Sequence, residues 1–357
     1  MGEPVRVGVI GCGAIVSQYL ATFDRLDLVR LTAAADLDVA RAEAVARERD
    51  GVRAGTVAQL LAADDVDVVL NLTVPAAHAE IALRAIAAGK DVYGEKPLAA
   101  DTDQARSVLD AAAAAGVVVG CAPDTVLGTG VQTARRAIDD GAIGRPISAT
   151  ATMMVPGHER WHPNPDFYYL PGGGPLLDMG PYYLSALITM LGPVSSVIGA
   201  AARSRESRVI GSGPRRGEVV PVEVDTHVTG VLVHASGVLS TLIMSFDAVA
   251  TRSANIEVHG EHGSLIVPDP NRFDGDVSLR TLASQEWETL PVSAGYLHAG
   301  RGYGIADMSL GATRASGDLA FHVLDIMESV LASARSGRSV PIASTVERPP
   351  AVPLAEL

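Results

Sequence analysis

The spacing of apolar positions changes character near residue 122. Before it, short and largely apolar runs at 5–10, 29–35, 66–72, 91–93 and 117–121 read as strands buried on both faces. Between them lie segments 39–48, 57–62, 77–88 and 101–115, which read as helices; in 77–88, Ile81, Leu83 and Ile86 share helical spacing and Gly89 ends the element. Strands separated by helices of this length specify a parallel, doubly wound α/β sheet. Ligands of such sheets lie at the carboxyl ends of the strands, so the loops after Ile10, Leu72 and Tyr93 are expected to share one cleft.

Beyond 122 the period shortens. A helix over 129–140 leads to a strand at 147–155, a loop rich in proline and aromatics, the run Gly172-Gly173-Gly174, and a helix over 180–191. Alternating segments follow at 222–234, 238–246, 254–259, 264–267, 277–282 and 287–290, several joined by glycine turns. This order specifies an α+β domain with an open, mostly antiparallel sheet. A helix over 316–336 and a proline-rich tail close the chain. The 357 residues are too many for one core, and two domains are expected: a dinucleotide-binding domain over 1–122 and a substrate-binding and oligomerisation domain over 123–357, with the last helix able to pack back on the first.

Composition narrows the function. The chain is 48% apolar and 19% charged, as in ordinary globular proteins. Its two cysteines, Cys12 and Cys121, give no disulfide framework, and the first residues enter a strand without a leader pattern, so a reduced, cytoplasmic protein is expected. No apolar run approaches the ~20 residues of a bilayer span. A net charge of −13 repels nucleic acid and anionic membranes, leaving a small molecule as the expected partner.

Four stretches carry candidate chemistry. The first, Val9-Ile10-Gly11-Cys12-Gly13-Ala14-Ile15-Val16, joins the first strand to a helix, where glycines let the backbone approach a pyrophosphate held by helical N–H groups. Val16 stands where the dinucleotide fingerprint has a third small residue. Asp36, closing the second strand, is placed to accept from the adenosine ribose hydroxyls. In the second stretch, Glu95-Lys96-Pro97 follows a strand end, and a lysine aimed into the cleft there stabilises alkoxide charge. The third contains Asp178 and Tyr182, four apart, which share a face if the turn around them is already helical; Pro181 fits a first turn. The fourth, His158-Glu159-Arg160-Trp161-His162, spells the zinc-protease pattern, but the prolines at 156, 163 and 165 leave barely two turns for a helix that must present both histidines on one face. No metal site is assigned. A loop of imidazoles and an indole suits a polyhydroxylated ligand, so His158, Trp161 and His162 are expected to bind substrate. Arginines 203, 205, 208, 215 and 216 gather around Gly211 to Gly213 and read as a solvated hairpin loop.

Together, GVIGCGAI, NLTVPAAHAEIALRAIAAGKDVYGEKPLA and GGGPLLDMGPYY resemble the glucose-fructose oxidoreductase, inositol dehydrogenase and rhizopine catabolism (Gfo/Idh/MocA) family. The resemblance implies a Rossmann domain, an α/β domain with an open antiparallel sheet, a homodimer or homotetramer built through that sheet, and hydride transfer between a nicotinamide cofactor and a carbinol carbon of a sugar or polyol. It places Gly11, Gly13, Ala14 and Ile15 at the pyrophosphate, Asp36 at the ribose, and Thr73, Pro75, His78, Glu95 and Lys96 around the cofactor. Leu37 follows Asp36 where an NADP-preferring member more often has arginine, so NAD is expected over NADP. Lys96 corresponds to the family's catalytic lysine and Asp178 to its substrate-orienting acid. Tyr182 stands where many members have a histidine acid/base. Its phenol, ordinarily at ~10, would be lowered by a unit or more beside the Lys96 ammonium. The expected set is Lys96 on the substrate oxygen, Asp178 orienting and Tyr182 taking the proton, with His158 or His162 as the base if Tyr182 lies too far from Lys96. Two rivals share this constellation: an NAD-dependent glycosidase acting by transient oxidation and elimination, and a module that only senses NAD(H).

Overall fold

The computed structural model describes residues 3–357, which form two compact units. The first contains residues 3–129 together with Ala294–Phe321 and Pro349–Leu357; the second contains Gly130–Ser293 and His322–Arg348.

In the first unit six parallel strands, β1 (Val5–Ile10), β2 (Val29–Ala35), β3 (Arg53–Gly55), β4 (Val68–Asn71), β5 (Asp91–Gly94) and β6 (Val119–Cys121), lie in the order β3-β2-β1-β4-β5-β6. Helices α1 (Val16–Phe23), α2 (Val39–Arg47), α3 (Val57–Leu61), α4 (Pro75–Ala87) and α5 (Thr102–Ala115) connect them. The sequence dictates the stops. Asp101 caps α5 by accepting from Gln104 N, and left-handed Gly116 ends it. Strand β3 escapes the apolar pattern because its three residues, Arg-Ala-Gly, hold an edge with little side-chain burial.

Register makes the site. Ile10 pairs with Asn71, Asn71 with Gly94, and Gly94 with Cys121. The carboxyl ends of β1, β4, β5 and β6 therefore stand in one row, and strand order reverses between β1 and β4, where such sheets open a crevice. The same unit takes up the later segment 294–321, whose short helix α8 (Tyr303–Ser309) has no sequence-based counterpart, and the tail, where Leu297 N donates to Ala355 O at 2.8 Å and Val352 is fully buried.

The second unit begins at Gly130, inside α6 (Thr129–Asp139), and holds a nine-stranded mixed sheet, ordered β16-β15-β14-β13-β7-β12-β11-β8-β17. Its strands are β7 (Pro146–Met154), β8 (Val194–Ala202), β11 (His227–His234), β12 (Leu239–Ser245), β13 (Ile256–Gly260), β14 (Gly263–Val267), β15 (Ser278–Thr281), β16 (Glu288–Thr289) and β17 (Val340–Pro341). Only β7 and β12 run parallel. A separate hairpin pairs β9 (Ser207–Val209) with β10 (Val219–Pro221). Helix α7 (Pro175–Leu191) packs across β7, β11 and β12, and α9 runs from Gly317 to Ser336.

Three expectations change here. Helix α7 starts at Pro175, five residues before 180, because Pro175 takes the favoured first position and left-handed Gly174 precedes it. Pro181 thus lies inside the helix rather than in its first turn. The run 222–234 is not one strand: β10 ends at Pro221, and β11 starts only at His227. Strands β8 and β9, unassigned in the sequence, carry few large apolar residues.

Candidate active site

On the first unit the turn between β1 and α1 is built as the glycines require. Gly11 has φ +97°, and a Cβ there would come within 2.6 Å of the Leu72 carbonyl, so the turn rests directly on the loop after β4. Gly13 is different. A Cβ on it would meet no protein atom within 4 Å, so the fold leaves open the space where a pyrophosphate would lie against the start of α1. That space, with Ala14 exposed and Ile15 half-buried beside it, fits a dinucleotide phosphate. Val16 is accommodated as a buried core residue.

The Asp36 carboxylate is held by two backbone donors, Cys12 N at 2.7 Å and Asp38 N at 2.9 Å. Its remaining lone pairs stay available, and Leu37 beside it is fully exposed, with no cation at that position to receive a ribose phosphate. Burial and the Asp36 charge together push the Cys12 thiol up to about 11, which keeps it protonated.

Thr73 and Pro75 stand at the row of strand ends; Thr73 is half-buried and Pro75 is exposed as the first residue of α4. His78 is turned inward, 2% exposed, with its ring between the Pro97 and Thr73 carbonyl oxygens. Glu95 also faces the interior: its carboxylate accepts from Tyr19 Oη at 2.9 Å and from Lys96 N at 3.1 Å, and Arg301 lies 3.9 Å away. Lys96 follows at the mouth of β5. It is one of only two lysines in the chain, and the other, Lys90, donates to the Ala63 and Val66 carbonyls at 2.8 Å each. That scarcity is a signal the motif reading passed over.

On the second unit Asp178 and Tyr182 lie one turn apart on α7, both in regular helix, so they share a face. His158 Nε2 stands 3.5 Å from Asp178 Oδ2. Its ring packs among Tyr168 at 4.3 Å, Phe246 at 4.6 Å and Trp161 at 5.3 Å between centroids. His162 stacks edgewise on Trp161 and Phe167, and its Nδ1 accepts from Asn164 N, which leaves the proton on Nε2. Trp161 and Phe167 are 58% and 56% exposed, an apolar rim able to cover the flat face of a sugar ring.

The zinc-protease spelling is not built as a helix. Residues 158–160 form one 3-10 turn, and Glu159 is buried against Arg208 and the Tyr169 hydroxyl. Among the described residues no group of three or more His, Cys, Asp or Glu side chains could hold a metal ion. The arginines do gather at the β9–β10 hairpin, but Arg208 is not solvated. Arg208 is buried on β9 between Glu159 and Asp247, Arg215 is paired with Asp166 and Glu218, and Arg203 donates to the Val222 carbonyl. Sequence spacing can show only the Arg215–Glu218 pair, three apart; the other carboxylate partners lie some 40 to 50 residues away.

Also unassigned in the sequence is Asp124, fully buried beyond β6, whose Oδ2 accepts from Gly302 N at 2.7 Å and Gly304 N at 3.1 Å. Burial, opposed by those amides and by Arg301, pushes its carboxyl up to about 6.

Both units have relatives among known proteins. Residues 5–122 match the family model described as an oxidoreductase family with an NAD-binding Rossmann fold, and residues 131–266 match the GFO/IDH/MocA C-terminal domain. A 1,5-anhydro-D-fructose reductase from Ensifer adhaerens is 31% identical over 73% of this chain and 75% of the reductase. An inositol 2-dehydrogenase from Rhizobium meliloti is 28% identical over 73% of this chain and 74% of that enzyme. A crystal structure of an NAD binding oxidoreductase from Klebsiella pneumoniae superimposes with a TM-score of 0.80 and 26% identity, covering 96% of this chain and all of that one.

Proposed function

Because the chain belongs to the Gfo/Idh/MocA family of NAD-dependent oxidoreductases, we propose that it transfers a hydride between NAD(H) and a carbinol carbon of a sugar, polyol or sugar derivative, with Lys96, Asp178 and Tyr182 as its catalytic set. The observation that carries the reading is the face of α7, where a carboxylate and a phenol stand one turn apart beside His158 and an exposed aromatic rim. Bound NAD supplies a nicotinamide ring that accepts or returns the hydride. Gly11, Gly13, Ala14 and Ile15 hold the pyrophosphate, Asp36 accepts from the ribose, and the Thr73–Pro75 loop flanks the cofactor.

The chain's own groups handle the proton and the substrate. Tyr182 takes the hydroxyl proton in oxidation and returns it in reduction, while Lys96 holds the oxygen as its charge develops. Asp178 fixes the neighbouring hydroxyl and is itself fixed by His158. Trp161 and His162 cover the ring.

An oligomer is part of the proposal. One face of the nine-stranded sheet is left by α7 and presents Ile198, Val231 and Leu239, interleaved with threonines 150, 229 and 241 in adjacent register. A homodimer or homotetramer through this face would cover it.

The test is a panel containing inositol, 1,5-anhydro-D-fructose, pyranoses, other polyols and glycosides, assayed in both directions with NAD and NADP. Lys96→Met serves as the blank. Substrate-dependent change in NADH, abolished in Lys96→Met and weak with NADP, is the expected result. Glycoside cleavage without net NADH identifies a hydrolase and refutes the proposal.

A further inference from the structure

The loops after β4 and β5 are tied together by one side chain. His78, in the second turn of α4, sets Nδ1 2.6 Å from the Pro97 carbonyl oxygen and Nε2 3.0 Å from that of Thr73. Carbonyl oxygens only accept, so a neutral ring bonds one and turns a lone pair toward the other, whereas a doubly protonated ring bonds both. The clasp is braced on each side. Thr73 N and Oγ1 donate to Asn71 Oδ1 at 3.2 and 2.7 Å, Asn71 Nδ2 donates to His78 O at 3.0 Å, and Glu95 N donates to Asn71 O at 2.9 Å. A cavity of about 10 Å³ lined by Asn71, His78 and Glu95 lies beside the ring, with room for barely one water.

Pro97 directly follows Lys96. Lys96 N is fixed to the Glu95 carboxylate at 3.1 Å, and the His78 ring fixes the Pro97 carbonyl, in the Pro97–Leu98 peptide one residue past Lys96. We propose that His78 is a positioning residue: it acts on Lys96 through the Pro97 carbonyl and holds the ammonium in its working direction, rather than touching the cofactor. This rests on Lys96 being the catalytic lysine, as proposed above.

The test uses the full chain and exploits its two lysines. Reductive methylation with ¹³C-formaldehyde gives one signal each for Lys90 and Lys96 beside that of the amino terminus, and Lys90 serves as the reference. In His78→Asn, which cannot reach both carbonyls, the Lys96 signal should move while that of Lys90 stays. With the best substrate of the panel, kcat should fall about tenfold or more, since a displacement of about 1 Å can cost ~100-fold, while Kd for NADH holds within about twofold. His78→Gln, whose amide offers two N–H donors, should recover most of the rate. An unmoved Lys96 signal with unchanged kcat overturns the inference, as does an NADH affinity that falls in step with kcat. In the unaltered protein, a ¹⁵N–¹³C coupling across the hydrogen bond between His78 Nδ1 and the Pro97 carbonyl is expected, and its absence overturns the clasp even if the variants fail to fold. If Lys96→Met keeps the full rate, the catalytic reading fails, while the Lys96 signal in His78→Asn still decides whether the clasp exists.

Discussion

Replacing Asp124 by Asn should change how stability depends on pH. Asp124 is fully buried; its Oδ2 takes both amide donors, and its Oδ1 has no partner. An Asn can put its carbonyl oxygen where Oδ2 sits and keep both hydrogen bonds while removing a charge from the interior. The carboxyl, pushed up to about 6 from 3.8 mainly by burial, binds a proton in the native state over a range where the unfolded chain has released it. Its contribution is therefore fully present below about pH 4 and is lost as pH rises through 6. A carboxyl raised from 3.8 to about 6, at about 1.4 kcal/mol for each pH unit, costs the native state about 3 kcal/mol once it is ionised. Relative to the parent, Asp124→Asn should thus gain about 3 kcal/mol between about pH 4 and about pH 8. Guanidinium unfolding across that range measures it. Both tryptophans, Trp161 and Trp287, belong to the second unit, so a far-UV circular dichroism transition that moves without the fluorescence transition isolates the first. Parallel stability curves for parent and variant would refute the argument.

Three further outcomes follow from the glycine turn and the buried arginine. Gly13→Ala should leave the thermal midpoint within about 2 °C, because its Cβ meets no protein atom, while weakening NADH binding by calorimetry at least about tenfold; Gly11→Ala, at φ +97° with its Cβ on the Leu72 carbonyl, should instead destabilise the first unit by about 2–4 kcal/mol. Arg208→Met strands Glu159 and Asp247 without their cation and should cost the second unit about 3–5 kcal/mol in guanidinium unfolding followed by tryptophan fluorescence.

Much of the first unit was legible because its strands are buried on both faces and its helices carry their own stop signals. Gly116 and Asp101 mark boundaries that need no partner to be read. Strand β3 was illegible for the opposite reason, since Arg53 and Ala54 bury little. At the site, Gly11, Gly13 and Asp36 announce themselves through backbone requirements that are local in sequence. The inward turn of His78 and the burial of Arg208 do not, because each depends on groups that only the fold brings near: the Pro97 carbonyl 19 residues on for His78, and Glu159 and Asp247 for Arg208. Asp124 lacked any signal at all, its partners Gly302 and Gly304 lying about 180 residues ahead.

The chain leaves the nucleotide-binding unit and comes back to it twice, the second time with a tail that seats Val352 in the interior. The first unit is therefore discontinuous: Val352 reaches its core only after the chain has passed through the whole of the second unit. The unit carrying α7, needing nothing beyond Arg348, can be complete first.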